Sequence, residues 1–374
     1  MKNYKIKRLR DKKADIINYY IEVFNTDFSL YRYRECNEYS LGSLFTDKFS
    51  FSAPVNFNDP YDVTVRIEKK KLIDSIKAYS KEIDFNNACR SLTFLFEKSD
   101  KFEMKINTII NYYTNVLMNV MKSSSLIACM SEKYDNEVMW AHYANSGKGF
   151  VLEYEYQTLL EARNDIVNKF EDAIAEFYKH NFELFETDYD NVSKMLSENS
   201  SVYGVVPVIY ENGKYNATYL LTDVIKKELF YMSTLNIDDI TSKIDFAYPK
   251  YILNYIKKSV KETEFSKSIA MNTTSLYMKK KDWKYEKEWR FVVPNTDGTL
   301  FNTFKSDFGL YAPLKPKSII LGEFISFDYE KMIVQIASEK GINIYKMKSD
   351  FSKSAPKLLR GRKYSSSKIK EILS

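Results

Sequence analysis

The chain has 374 residues, 44% hydrophobic and 28% charged, and 56 basic against 50 acidic residues give it a net charge of +6. That length calls for one large or two modest domains, and the composition is ordinary for a globular protein. So mild a charge bias does not by itself argue for a nucleic-acid partner. Only 10 Gly and 8 Pro make long flexible linkers unexpected, and no apolar run reaches ~18 residues, so no membrane span is expected.

From the N-terminus, Ile16, Ile17, Tyr20, Ile21 and Phe24 recur at helical spacing and predict a helical segment over 1–28. Leu30-Tyr-Arg-Tyr-Arg34 then alternates with period two, the mark of a strand. A short helix near 38–45 leads to a second alternating strand at 48–52, ended by Pro54. Asn56-Phe-Asn-Asp-Pro60 reads as a turn. Residues 68–122 are helical in pattern, followed by a buried strand at 125–130, an amphipathic helix at 135–145 and a strand at 149–155. Helical pattern returns over 156–200 and 217–270, around a strand at 202–210 that Pro207 confines to an edge or a bulge. Strands are predicted at 273–279, 287–293, 308–312, 317–321 and 342–346, with a helix at 328–340.

Strands and helices do not alternate regularly, so the pattern predicts an α+β fold. Its β-core is discontinuous, mixed or antiparallel, with large helical insertions. The expected organisation is an N-terminal helical segment over 1–28, a single domain over 29–349 with insertions at about 68–122, 156–200 and 217–270, and a basic tail over 350–374. Three widely spaced cysteines, Cys36, Cys89 and Cys129, without a Cys-x-x-Cys pair suit a reducing cytoplasm, and two histidines are too few for a zinc site built from scattered Cys.

Three alternating segments carry the chemistry. Tyr31 and Tyr33 alternate with Arg32 and Arg34; Phe49 and Phe51 alternate with Ser50 and Ser52; and Trp283-Lys-Tyr-Glu-Lys-Glu-Trp-Arg290 sets Glu286, Glu288 and Arg290 along one side. A guanidinium fork suits a phosphate, though arginines on a strand equally suit a solvated face or a surface ion pair. Glu286 and Glu288, two apart on a strand, are expected roughly 7 Å apart on one face. Like charges held close raise one pKa, which is useful in acid–base work; a charged outer face is the plain alternative. The loop with Asn58 and Asp59 reads first as a turn, and carboxylates there and at Glu286 and Glu288 would suit Mg²⁺. His142, in Met139-Trp-Ala-His-Tyr143, is more often structural than catalytic. No P-loop, dinucleotide-binding Gly-x-Gly-x-x-Gly, serine-hydrolase elbow or zinc signature is present.

Taken in order, Leu30-Tyr-Arg-Tyr, Phe51-Ser-Ala-Pro, Phe57-Asn-Asp-Pro60, Met139-Trp-Ala-His-Tyr-Ala144 and Tyr285-Glu-Lys-Glu-Trp-Arg290 resemble a widespread bacterial family known only as a domain of unknown function, similar to the AbiGi-type abortive-infection proteins. More distantly, an aromatic-Arg strand, a serine strand and Glu-x-Glu resemble the Arg-Ser-Glu class of ADP-ribosyltransferases. That resemblance implies NAD as substrate and no metal. It implies Arg32 (or Arg34) on the NAD phosphate or ribose, Ser50 or Ser52 ordering the site, Glu288 on the nicotinamide ribose and Glu286 orienting the acceptor. Tyr33, Asn58, Asp59, His142 and Arg290 complete the expected binding set. Two features depart from the class: Ser-Phe-Ser stands where it has Ser-Thr-Ser, and more than 230 residues separate Ser52 from Glu286. The expectation is a cytoplasmic NAD-using toxin or effector of anti-phage defence, with an unidentified protein or nucleic-acid acceptor and a defence-system partner. A non-catalytic nucleotide- or protein-binding sensor and a metal-dependent nuclease are the alternatives.

Overall fold

The computed structural model describes residues 3–11, 16–92, 101–123, 125–180, 204–234, 275–294, 311–350, 352 and 357–374. Strands β1 (Tyr4–Asp11) and β2 (Ile16–Val23) pair antiparallel where a helix was expected. The register sets Tyr4 opposite Val23, Ile6 opposite Ile21 and Arg8 opposite Tyr19. Tyr19, Ile21 and Val23 are therefore a period-two series, which the helical spacing of Ile16, Ile17, Tyr20 and Ile21 conceals. Ile6, Tyr19 and Ile21 pack on a core of Val65, Met121, Ile209 and Met278, while Lys5 and Lys7 are exposed. β-Branched and aromatic residues favour such a half-buried pleated surface.

The remaining strands are β3 (Ser29–Arg34), β4 (Lys48–Ser50), β5 (Ser125–Ser131), β6 (Phe150–Glu155), β7 (Val205–Pro207), β8 (Ile209–Glu211), β9 (Met278–Lys280), β10 (Glu288–Pro294), β11 (Tyr311–Pro313), β12 (Ser318–Leu321), β13 (Asn343–Asp350) and β14 (Lys357–Arg360). Eight of them form one sheet in the order β14-β13-β12-β6-β3-β5-β10-β7. All neighbours are antiparallel except β12 and β13. The fold is α+β with a mixed sheet. β7 ends in Pro207 and lies at the sheet edge, where a residue without an N–H costs no ladder bond. β4 pairs with β11, and β8 with β9, outside the main sheet.

The helices are α1 (Glu38–Phe45), α2 (Lys69–Tyr79), α3 (Phe85–Ser91), α4 (Phe102–Ser123), α5 (Glu137–Tyr143), α6 (Tyr156–His180), α7 (Thr218–Thr234), α8 (Phe327–Lys340) and α9 (Ser366–Leu373). Leu72, Ile76, Ile106, Ile109, Leu221, Ile225 and Leu229 join α2, α3, α4 and α7 in a separate helical core. Two insertions far apart in sequence thus bury each other's apolar stripes, which neither could do alone. The expected helical positions beyond 180 and 234, to 200 and 270, lie outside the described residues.

Both faces of the sheet are covered. One face presents Leu30, Leu152, Tyr154, Trp289 and Phe291 to the largest core, together with Phe49 and Phe51. The other presents Tyr33, Val151, Ile320 and Met347 to Met139 and Trp140 of α5. The C-terminal segment is not a free tail: β14 joins the sheet, Ile372 of α9 is buried, and the Tyr364 hydroxyl donates to Glu330. Arg360 pairs with Glu153 at 3.2 Å and stacks over Tyr134 and Tyr345, holding β14 in place. Among the described residues no helix is long and apolar enough to cross a membrane.

Candidate active site

The site is a gap in the main sheet. β3 pairs with β6 from Ser29 to Arg34, but with β5 only at Tyr31, opposite Ser131. Beyond that pair the two strands part. Ser52 then takes the place beside β5, exchanging both backbone hydrogen bonds with Ile127 at 3.0 and 2.9 Å. The opening lies between these two closures, over Cys129. Gly149 holds the far side together: a Cβ there would meet the Arg34 carbonyl oxygen at 2.1 Å. The resulting cleft encloses about 240 Å³.

Register decides which side chains reach it. Tyr31, Ser131 and Glu288 are cross-strand neighbours and share one sheet face. Arg32 and Arg34 belong to the opposite face by alternation. They line the same cleft as Glu286 and Glu288 because the sheet is open between β3 and β5. The two polar sets thus meet through the opening and not on one sheet face.

On the arginine wall, the Arg32 guanidinium lies 4.5 Å over the Phe49 ring and donates to the Ser50 hydroxyl at 3.4 Å. Burial, and then the neighbouring Arg34, lower its pKa to about 9; burial lowers that of Arg34 as well. Both stay charged at neutral pH. Neither has an ion pair with a carboxylate among the described residues.

The opposite wall is crowded with charge. Residues 281–286 form a short 3₁₀ helix, and Lys287 adopts a left-handed conformation (φ 48°) before β10 begins at Glu288. Glu286 and Glu288 are thus not alternate residues of one strand, as their spacing had predicted. The left-handed turn brings them together instead, and Lys279 Nζ reaches both, 2.6 Å from Glu286 and 2.9 Å from Glu288. The Tyr143 hydroxyl donates to the other Glu286 oxygen at 2.6 Å. Arg290, fully buried, donates from Nε to Glu288 at 2.8 Å, from Nη2 to Asp62 at 2.6 Å and from Nη1 to the Leu276 carbonyl at 2.6 Å. Asp62 also accepts from the Val63 N–H at 2.8 Å.

Local structure positions each member. The Asn136 side chain caps α5 by accepting from Val138 and Met139, and its amide donates to the Tyr285 carbonyl at 2.5 Å, tying α5 and Tyr143 to the 3₁₀ helix. Ser131 donates to the Glu286 carbonyl at 2.6 Å. Burial by itself raises the Glu288 pKa, but Arg290 and Lys279 outweigh it and hold the group well below the usual carboxylate range. Glu286 goes the other way: burial, and then repulsion from Glu288, raise it to about 7 despite Lys279. Burial would lower Lys279, but Glu288 and Glu286 keep it firmly protonated.

Of the expected site residues, Arg32, Tyr33, Arg34, Ser52, Asn58, Asp59, Glu286 and Glu288 line the cleft. Ser50, behind Arg32, and Arg290, behind Glu288, support the walls from outside. His142 sits away from the cleft, with Nδ1 3.3 Å from the Tyr285 hydroxyl. Lys279, Cys129, Trp283, Tyr143 and Asp62 also line the cleft and were not among the expected site residues. No sequence signal set Lys279 apart from Lys280, Lys281 and Lys284, which also precede the Glu-x-Glu segment. Lys279 Nζ lies 2.6 Å from Glu286, 2.9 Å from Glu288 and 3.9 Å from Asp62. Among the described residues no group of three or more His, Cys, Asp or Glu is placed to hold a metal.

Residues 139–291 match the family described as Protein of unknown function (DUF2971). The DUF2971 match runs from α5 to β10 and so includes Tyr143, Lys279, Glu286, Glu288 and Arg290, while the arginine wall precedes it. No curated protein and no solved structure matches the chain.

Proposed function

We propose that the cleft binds a phosphate-bearing nucleotide of the NAD class and breaks its nicotinamide–ribose bond, passing ADP-ribose to water or to an acceptor. The observation that carries this reading is the opposed charge of the two walls. Arg32 and Arg34, unpaired with any carboxylate among the described residues, suit a diphosphate. The facing wall holds three carboxylates against two cations, one negative charge in excess when Glu286 is ionised. NAD has the matching asymmetry, an anionic diphosphate and a cationic nicotinamide riboside.

As the C1′–N bond breaks, its electron pair leaves with nicotinamide and positive charge develops on the ribose. An ionised Glu288 on the wall favours that charge, as carboxylates do in glycoside cleavage. The cleft is small for a whole dinucleotide, so one end of the ligand would extend beyond its mouth. The likeness to abortive-infection proteins suggests that NAD loss or acceptor modification harms the infected cell.

A second reading has an observation of its own. Both oxygens of Glu286 and both of Glu288 already have protein partners. A cleft so satisfied suits a sensor that binds the nucleotide without turning it over. Incubation with nicotinamide-labelled NAD, with and without cell extract, separates the readings. Release of nicotinamide by the wild type, lost in folded Glu288→Gln, supports catalysis. Saturable binding without release in either condition supports the sensor.

A further inference from the structure

A second hollow lies behind the arginine wall. Alternation turns Leu30, Arg32 and Arg34 to the sheet face opposite Tyr31 and Tyr33, and Leu30 joins the largest core there. On that side, between the sheet, α1 and β4, a hollow of about 10 Å³ is lined by Arg32, Arg34, Ser43, Asp47, Lys48 and Tyr154. It has room for one atom-sized sphere. Arg32 and Arg34 thus line two cavities, the cleft in front and this hollow behind.

Charge decides what such a hollow holds. Arg32 and Arg34 are two apart on one strand, so two like charges stand roughly 7 Å apart on one face. Burial lowers the pKa of both, and Arg34 adds to the effect on Arg32. Asp47 is the one carboxylate on the wall of the hollow. Its Oδ2 is neutralised by Lys340 at 2.6 Å, and its buried Oδ1 has no hydrogen-bond partner among the described residues. Tyr154, 3% exposed, makes no hydrogen bond through its hydroxyl among the described residues. Burial raises the pKa of that hydroxyl; Arg32 and Arg34 pull it down and Asp47 pushes it up, which sets the hydroxyl among all three.

A water molecule in this space would leave both guanidinium charges uncompensated. A small anion accepts from the guanidiniums and from the Tyr154 hydroxyl, and it cancels one of the two charges. We propose that the hollow is a halide site, in which a chloride ion held by Arg32, Arg34 and the Tyr154 hydroxyl bridges the arginine pair from the side away from the cleft. The space admits a monatomic ion and not a tetrahedral oxyanion. A guanidinium carries five N–H donors, so a bond to chloride behind leaves others to face the cleft. The ion compensates the pair while the cleft is empty, whatever the cleft itself binds.

Bromide takes the place of chloride in the test because it scatters anomalously. Crystals of the full chain soaked in sodium bromide should show an anomalous peak between Arg32, Arg34 and Tyr154. In solution, replacing gluconate by chloride at constant ionic strength should raise the thermal midpoint of the wild type by about 1–2 °C more than that of Tyr154→Phe, which keeps the ring, or of Arg34→Gln. Asp47→Asn removes the opposing charge and should reach the same shift at lower chloride. Bromide found only elsewhere, or an equal response to chloride in the wild type and Tyr154→Phe, overturns the halide assignment. A weaker response in Asp47→Asn overturns the charge argument beneath it.

Discussion

Arg32 and Arg34 on one wall of the cleft have no ion pair among the described residues, whereas Lys279 and Arg290 on the other are each shared between two carboxylates. Arg32 and Arg34 lie on β3, Arg290 on β10 with β5 between them, and Lys279 on β9 outside that sheet, and the two pairs answer different demands. Lys279 and Arg290 are spent inside the protein, neutralising charge that the fold itself buries. Arg32 and Arg34 keep their charge for something else. A cation with no carboxylate partner, held at a cleft wall at the expense of its own hydration, is the more informative of the two.

The contrast breaks first at Arg290. Arg290→Met strands Asp62 and Glu288 in the interior, and the chain should lose about 3–5 kcal/mol in denaturant unfolding, as should Lys279→Met. Arg32→Gln or Arg34→Gln abandons no carboxylate and should change stability by less than about 1 kcal/mol. Equal losses on the two walls would erase the distinction.

The next effect follows from Glu286. Its pKa rises from 4.5 to about 7 on folding. Between those values the folded chain keeps a proton that the unfolded chain releases. The stability it contributes is complete below pH 4.5 and is lost as pH climbs through about 7. From pH 5 to pH 8 the wild type should lose up to roughly 3 kcal/mol relative to Glu286→Gln, measured by urea unfolding at the two pH values. A constant difference would place the missing proton elsewhere.

Much of this architecture was legible beforehand. Alternation marked β3, the helical pattern over 68–122 covered α2, α3 and α4, and Pro207 marked an edge. The misreadings have local causes. The first 28 residues satisfy a helical and a strand period at once, and pairing of β1 with β2 settles the matter through contacts that no single strand displays. Glu286 and Glu288 were joined in sequence by an assumed strand, which the left-handed Lys287 interrupts. Lys279 entered the site through tertiary proximity alone. The sheet opening that admits Arg32 and Arg34 depends on where β3 stops pairing, and alternation carries no information about that.

A smaller effect concerns Cys129, exposed to the cleft between the two walls while Cys89 is buried and Cys36 half-buried. Burial within the site, and then Glu288, push its thiol well above the ordinary value. Alkylation of Cys129 at neutral pH should therefore be slower than that of a free thiol despite its exposure. NAD or ADP-ribose should slow it further, and peptide mapping of the modified chain would show both. Rapid labelling unaffected by nucleotide would mean that ligands bind elsewhere.

The division of labour between the walls is tested most directly by calorimetric titration of NAD into the wild type and into an Arg32→Gln/Arg34→Gln double variant. Each arginine's charge-assisted bonds to phosphate are expected to contribute about 1.5–3 kcal/mol, so the double variant should bind at least about 100-fold more weakly while unfolding at the same denaturant concentration. No binding of NAD to the wild type, or equal affinity in both proteins, would contradict the assignment of the arginine wall to the nucleotide phosphates.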